Sequence, residues 1–409
     1  MYDLTLTPEQ LEFRETVRDF VETEIKPAAL NPKRLEPFEK PLLVDLLDKA
    51  AQMGLRTLAL SEDAGGAGAD GLTSCIVMEE LGAGDVDIAA VLGQTSMLGR
   101  LLFDRLMTAE QRKRFLPAFV KDDRYHLAFA GRDPVAGLGW SYHRPQAESD
   151  AVPVAVRQGN EWVINGALGF VANATVAKLF AVRARTGAGG AVTLLVPREA
   201  PGLAVREPLK AVGEIIRWHH GAGAGMAFKD CRVPADHVLG EGAKSAGALT
   251  AELARGAPQV AAINLGLGRA AYEAAVDYAK LRRQGGRNII EHQAIGTKLA
   301  DCAIRLELAR NVIWKAAWTQ DHPGAVADRS GSGLPLEVVA RVYTAQAVNE
   351  VALLAAECFG AMGVMRDMPL QKYVHDSMVF LHSEETDGAA KLAIAEAVAG
   401  YQRPAADAA

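Results

Sequence analysis

His375-Asp376-Ser377-Met378-Val379-Phe380-Leu381-His382-Ser383-Glu384-Glu385-Thr386-Asp387-Gly388 lies near the end of a chain of 409 residues, and the reading of this stretch decides the rest. An apolar Val379-Phe380-Leu381 run leads into two adjacent carboxylates. Behind them Ala389-Ala390-Lys391-Leu392-Ala393-Ile394-Ala395 reads as the body of a closing helix. Desolvation by the apolar run would raise a carboxyl pKa and make it a better proton acceptor, so a base is possible here. Thr386 or Asp387 could cap the closing helix. On these residues alone the plainer reading leads, with Glu384 and Glu385 as first-turn acids favoured by the helix dipole.

Working outward, residues 1–125 read as helical. Thr7-Pro8-Glu9-Gln10 is a start signal with Pro in the first turn, followed by Leu11, Phe13, Val17, Phe20, Val21 and Ile25 at helical spacing. A second helix covers about Leu42 to Met53. Ser61-Glu62-Asp63-Ala64-Gly65-Gly66-Ala67-Gly68 is a loop, and Leu72 to Leu81 is a helix with Glu79-Glu80 at its end. From 126 to 236 the period changes to two. Ala151–Val156, Trp162–Ile164, Lys178–Val182, Ala191–Val196 and Gly225–Phe228 read as strands separated by Gly-rich turns. From 237 to 409 the chain is helical again. Ile295, Leu299, Cys302, Leu306, Ala309 and Ile313 form one long stripe, a Ser330-Gly331-Ser332-Gly333 linker follows, and a helix runs from Leu336 to Cys358. Such stripes are bundle seams more often than grooves, and two long antiparallel helices imply a four-helix arrangement.

Composition narrows the function. With 49% hydrophobic and 23% charged residues the chain can build more than one domain. A net charge of -6 argues against a nucleic-acid partner, which needs a basic face. Cys75, Cys231, Cys302 and Cys358 show no C-x-x-C or His spacing that suggests a metal, so buried reduced thiols and a cytoplasmic location are expected. No signal peptide and no apolar run of membrane-span length is read. Gly266-Leu267-Gly268-Arg269-Ala270-Ala271 superficially fits a dinucleotide fingerprint but sits inside a helical pattern rather than after a strand. A P-loop, HExxH and a serine-nucleophile elbow are not present.

Several stretches, in order, resemble the acyl-CoA dehydrogenase family. They are the Glu62 to Gly68 loop with its following Glu79-Glu80 helix, Trp162-Val163-Ile164-Asn165-Gly166, Phe228-Lys229-Asp230-Cys231-Arg232-Val233-Pro234, Arg282-Arg283-Gln284-Gly285-Gly286 with Glu291-His292-Gln293, and the closing stretch. There His375-Asp376-Ser377 stands for the family's Arg-Asp-Ala and Ser383-Glu384-Glu385-Thr386 for its aromatic-Glu-Gly-Thr. The resemblance implies an α+β multi-domain fold: an N-terminal helical domain (1–125), a middle β-barrel-like domain (126–236) and a C-terminal four-helix bundle (237–409). It implies FAD as cofactor, an acyl-CoA thioester as substrate, an electron-transfer flavoprotein as acceptor, and a homotetramer or a heteromer with a related subunit. Glu384 would take the α-proton.

For the cofactor, the resemblance implies Arg282 at the pyrophosphate of a neighbouring subunit, with Gln293 nearby and Gly285 where Phe is usual. A guanidinium suits a bidentate phosphate contact. Phe170-Val171-Ala172 replaces the family's Trp-Ile-Thr, losing the hydroxyl that meets the flavin edge, and Gly131-Arg132-Asp133-Pro134 replaces Thr-Glu-Pro. Gly360 belongs to Glu357-Cys358-Phe359-Gly360-Ala361-Met362-Gly363, whose Glu357 replaces a Gln and sets an acid near the phosphates. Thr386 is the signature's Thr at the cofactor. For substrate, Glu385 replaces a Gly and narrows the site, and Arg255 stands two positions ahead of the family's usual Arg. These departures motivate three alternatives: a partner subunit with a degraded flavin site, a relative running oxidase, hydroxylase or desulfinase chemistry, and a dehydrogenase for a bulky cyclic or aryl acyl-CoA.

Overall fold

The structure, a computed structural model, describes residues 5–31, 42–131, 153–187, 190–206, 219–255, 258–327, 333–382 and 388–399. The first layer holds helices α1 (Pro8–Phe20), α2 (Val44–Gln52), α3 (Gly71–Gly84), α4 (Val86–Gly99) and α5 (Ala109–Lys121), with a π-helical continuation of α4 over Arg100–Leu106. Its start signals work as the residues suggest. Gln10 N donates to Thr7 Oγ1 at 3.2 Å while Thr7 N donates to Gln10 Oε1 at 3.0 Å, a capping box that Thr108 and Gln111 repeat for α5.

Glu79 and Glu80 do not end their helix, contrary to expectation; α3 continues through Gly82 to Gly84 and hands over to Asp85, the cap of α4. The glycines beyond the expected end serve close packing. A Cβ on Gly82 would lie 2.2 Å from the Ile263 carbonyl, and one on Gly266 would lie 2.0 Å from the Glu79 carbonyl. Gly266 sits within the later helix Pro258–Leu281, so its place in a false dinucleotide motif has a packing cause. Backbones this close leave Glu79 and Glu80 buried, and arginines from three other helices match them. Arg18 and Arg269 reach Glu80 at 2.7 and 2.6 Å, and Arg310 reaches Glu79 at 2.8 Å.

The middle of the chain is a seven-stranded sheet of β1 (His126–Ala130), β2 (Val154–Gln158), β3 (Glu161–Val171), β4 (Ala177–Thr186), β5 (Ala191–Pro197), β6 (Leu203–Val205) and β7 (Ala224–Pro234). The order is β1-β4-β2-β3-β7-β6, with β5 on β4; β1 and β2 run parallel to β4 and the other pairs are antiparallel. Ile164, Leu168, Phe180, Val182, Met226 and Phe228 fill its core. β3 and β7 are longer than their apolar runs suggested. Asn165-Gly166 looks like turn chemistry but forms a bulge: Gly166 and Asp230 take φ +130° and +48°, and Asp230 N donates to Asn165 Oδ1 at 2.8 Å.

Helices α6 (Ala243–Arg255), α7 (Pro258–Leu281), α8 (Gln293–Asp321), α9 (Leu336–Phe359), α10 (Leu370–Leu381) and α11 (Gly388–Ala399) complete the chain, with a short hairpin β8 (Arg283–Gln284)–β9 (Arg287–Asn288) after α7. α7, α8 and α9 pack together and α10 lies against α7 and α9. The predicted stripe is the seam: Leu299, Cys302, Leu306, Ala309 and Ile313 are buried. Residues 330–332 of the predicted linker lie outside the described residues. All four cysteines are buried and unpaired. One expectation fails: Val86–Leu106 and Leu336–Val364 are long and apolar enough to cross a membrane. Their apolar residues serve the core, where Leu92, Leu98, Phe103, Val348 and Val351 are buried.

Candidate active site

The end of β3, the approach to β7 and helix α10 meet at one place. Phe170 faces His219 with ring centroids 4.6 Å apart, and a Cβ on Gly223 would stand 2.1 Å from the Phe170 ring, so only glycine fits beneath it. After Ala172 the chain turns at Asn173, whose φ of +62° is held by a buried amide. Its Nδ2 donates to Val91 O at 3.1 Å, Thr95 Oγ1 at 3.3 Å and Leu127 O at 3.3 Å, tying the strand end to α4. His220 Nε2 donates to the Asp376 carbonyl at 3.1 Å, which fixes the proton on that nitrogen, and its ring lies 4.3 Å from Phe380. Gly221 N donates to Asp87 Oδ1 at 2.9 Å.

Helix α10 is anchored along the same face, one turn earlier, by a buried ammonium. Lys372 Nζ donates to Asp376 Oδ2 at 2.7 Å and lies 3.8 Å from Asp85 Oδ2. Burial works against its charge, yet Asp376 and Asp85 outweigh burial and hold Lys372 protonated above its usual range. Asp85 Oδ1 in turn caps α4 through Asp87 N and Ile88 N. The helix that leads into Ser383 is therefore fixed to the first layer. Glu384, Glu385 and Thr386 themselves, with Arg132-Asp133-Pro134 and the Arg255 side chain, lie outside the described residues; Arg255 closes α6.

The residues expected at the phosphates converge elsewhere. Arg282 follows α7, and its exposed guanidinium has no side-chain partner among the described residues. Gln293 opens α8 and is exposed beside the hairpin, where His292 Nε2 donates to Gln284 O at 3.0 Å. Tyr278 and Phe359 stack at 4.1 Å, bringing the ends of α7 and α9 together and Gly360 to the same corner. Gly360 takes φ +58° with open space where a Cβ would be. Glu357 donates no uncompensated charge here, because Lys298 pairs with it.

Ile263 of α7 packs near Gly93 of α4, one helix width from the strand end. Arg282 stands 19 residues further along, roughly 28 Å by helical rise. The residues expected at the phosphates and those expected at the flavin ring thus belong to opposite ends of α7. The flavin fits what is present: a free guanidinium, the first amides of an uncapped helix and an open glycine for phosphates, and an aromatic strand end for the ring. His219, His220, Asn173 and Lys298 were not singled out from sequence. The adjacent histidines were a visible signal; the lysine, 59 residues from Glu357, gave none.

The acyl-CoA dehydrogenase N-terminal domain family matches residues 7–123, and the acyl-CoA dehydrogenase C-terminal domain family matches 246–399. Mitochondrial isobutyryl-CoA dehydrogenase of Dictyostelium discoideum is 27% identical over 95% of this chain and 89% of its own. The short-chain specific acyl-CoA dehydrogenase of Clostridium acetobutylicum is 28% identical over 96% and 98%. In fold, butyryl-CoA dehydrogenase from Megasphaera elsdenii superposes with a TM-score of 0.78 at 24% identity, over 97% of this chain and 100% of that one. Two domain families in register, full-length relatives and the shared fold agree: this chain belongs to the acyl-CoA dehydrogenase family and is an FAD-dependent oxidoreductase.

Proposed function

We propose that the chain introduces an α,β double bond into an acyl-CoA thioester, with Glu384 as the base. The observation that supports this is the anchoring of α10 next to the strand end: His220, Phe380 and Lys372 fix the helix whose next turn of chain carries Glu384. FAD, when bound, accepts the β-hydride. Phe170 would flank its ring, Ala172 would meet its edge through backbone alone, and Arg282 and Gln293 of a neighbouring subunit would hold the pyrophosphate, with Gly360 giving room and Thr386 nearby. Lys298 offsets Glu357, which weakens the degraded-site alternative. Arg255 and Glu385 would bound the substrate.

Assembly follows from the same layout. Ile304 and Leu308, 57% and 54% exposed, form an apolar patch on the face of α8 opposite its seam, and Leu353 of α9 is 44% exposed. A homotetramer would cover these and complete the divided flavin site. Electrons would leave to an electron-transfer flavoprotein. The test is anaerobic bleaching of the FAD-loaded protein by butyryl-CoA. Glu384→Gln should keep FAD and bind the thioester while slowing bleaching about 10²–10⁴-fold. Bleaching at the wild-type rate in that variant would move the base elsewhere.

A further inference from the structure

A cavity of ≈ 130 Å³ opens between α3, α4, α7 and the end of α8, lined among others by Ser74, Met78, Ser96, Arg100, Gln259 and Asp321. Its volume equals roughly four waters, enough for the end of a chain but not for a whole thioester. It lies on the other face of α4 from Val91 and Thr95, the residues that hold Asn173 behind Phe170 and Ala172. Only the width of one helix, about 10 Å, separates it from the strand end. Glu252 and Gln259 bring in the junction of α6 and α7, where Arg255 stands.

The lining is polar, and much of it is unsatisfied. Ser74 Oγ is buried without a hydrogen-bond partner, its residue 4% exposed, and Gln259 Oε1 is likewise buried and unpaired. Ser96 Oγ accepts from Ala59 N at 2.9 Å, which leaves its own O–H to donate. Arg105 is already opposed by Glu252 at 4.0 Å. Asp321 is committed through Oδ2, which accepts from Gly71 N at 2.7 Å, and burial raises its carboxyl pKa. Arg100 has no hydrogen bond and no ion pair within 4 Å among the described residues, though its charge acts on Asp321 from further away. Behind it a second recess carries Glu62, Asp63 and Asp104, of which Asp104 is engaged by Ser61 N and Oγ at 2.9 and 2.8 Å.

An alkyl terminus in this cavity would leave Ser74, Gln259 and Arg100 unsatisfied, which a chain of methylenes cannot repair. A carboxylate would accept from all three, since the Gln259 amide can turn its N–H₂ inward. Resting on the dehydrogenase reading above, we propose that the cavity receives the far end of the acyl group and selects thioesters whose chain ends in a carboxylate, with Arg100 as the ion-pair partner and Ser74 and Ser96 as donors. Sites built to hydrogen-bond a group discriminate strongly against the analogue lacking it.

The test compares succinyl-, glutaryl- and adipyl-CoA with the butyryl-, valeryl- and hexanoyl-CoA of the same lengths. Binding is read by the flavin spectral shift in the Glu384→Gln protein and by thermal shift, and bleaching is read in the wild type. At least one dicarboxylic thioester should bind about tenfold or more tighter than its alkanoyl counterpart. Arg100→Met should bring that ratio near one with FAD content unchanged, Arg100→Lys should restore part of it, and Ser74→Ala should lower it. Equal binding of every matched pair, or a preference that survives Arg100→Met, would overturn the proposal and leave Arg100 to the acidic recess. Alkanoyl-CoAs bleaching the flavin in that case would leave the dehydrogenase reading intact, whereas no thioester of either series binding would sink both.

Discussion

Two buried polar regions lie side by side in this protein and differ in one respect. Around Glu79 and Glu80 every charge is answered: Arg18, Arg269 and Arg310 close on two carboxylates, three of the contacts at 2.6 to 2.8 Å. Around Arg100 two residues that line a cavity, Ser74 and Gln259, each carry a buried side-chain oxygen without a partner. Both sit on α3, whose Glu79 and Glu80 turn toward α7 and whose Ser74 turns toward α4. A satisfied buried network locks helices together, and an unsatisfied one leaves a cost that a bound group can relieve.

The comparison breaks most sharply under mutation. Glu80→Met strands Arg18 and Arg269, so chemical denaturation should show a loss of about 3–5 kcal/mol, while Arg100→Met should change stability by less than about 1 kcal/mol. Equal losses at both sites would erase the distinction. A slightly smaller effect is expected from acid, through a third buried polar group. His126 opens β1 at 2% exposure with Nδ1 3.2 Å from Thr95 Oγ1, and burial, with Arg56 and Lys178 adding to it against Asp122, lowers its pKa from 6.5 to about 4. Above pH 6.5 it is neutral folded or unfolded. As pH falls the unfolded chain takes up the proton first, so about 3 kcal/mol of stability is lost between pH 6.5 and about 4. His126→Gln should flatten that part of the stability curve; an unchanged acid slope would assign it to other groups. The smallest expected effect is at the exposed corner. Lys298→Met and Arg282→Ala should each leave the fold intact and weaken FAD retention several-fold, read by fluorescence of released flavin, and more so at low salt. Full flavin occupancy in Arg282→Ala would count against a site shared between subunits.

Much of this architecture could be read from residues because it rests on local patterns. Thr7 announces its helix, the Leu299 to Ile313 stripe gives the seam, and the alternation after His126 gives the sheet. Failures fell where a glycine's reason was distant. Gly82 lay just past the expected helix end at Leu81 and Gly166 just past the expected strand end at Ile164, whereas one faces a carbonyl 181 residues away in sequence, at Ile263, and the other belongs to a bulge completed by Asp230. The family signature singled out Arg282, Gln293 and Gly360, and the fold brings them to neighbouring helix ends. Lys298, which answers Glu357, was not, since nothing in the local pattern says which of two helices a long side chain will reach. The polar cavity was equally hidden, being assembled from α3, α4, α7 and α8 by their crossings.

The Lys372 anchor bears on recombination between relatives. The two matched domain families look like interchangeable cassettes, ending at 123 and resuming at 246. Yet Lys372 and Asp376 in the second hold Asp85 in the first, and Asp85 also starts α4. A chimera that swaps one cassette keeps the helix before Glu384 in place only if all three residues travel together. A parent with another residue at position 85 would bring a shifted helix before Glu384 along with its new substrate pocket, so breeding new specificities from this scaffold calls for crossovers chosen by that triad rather than by domain boundary.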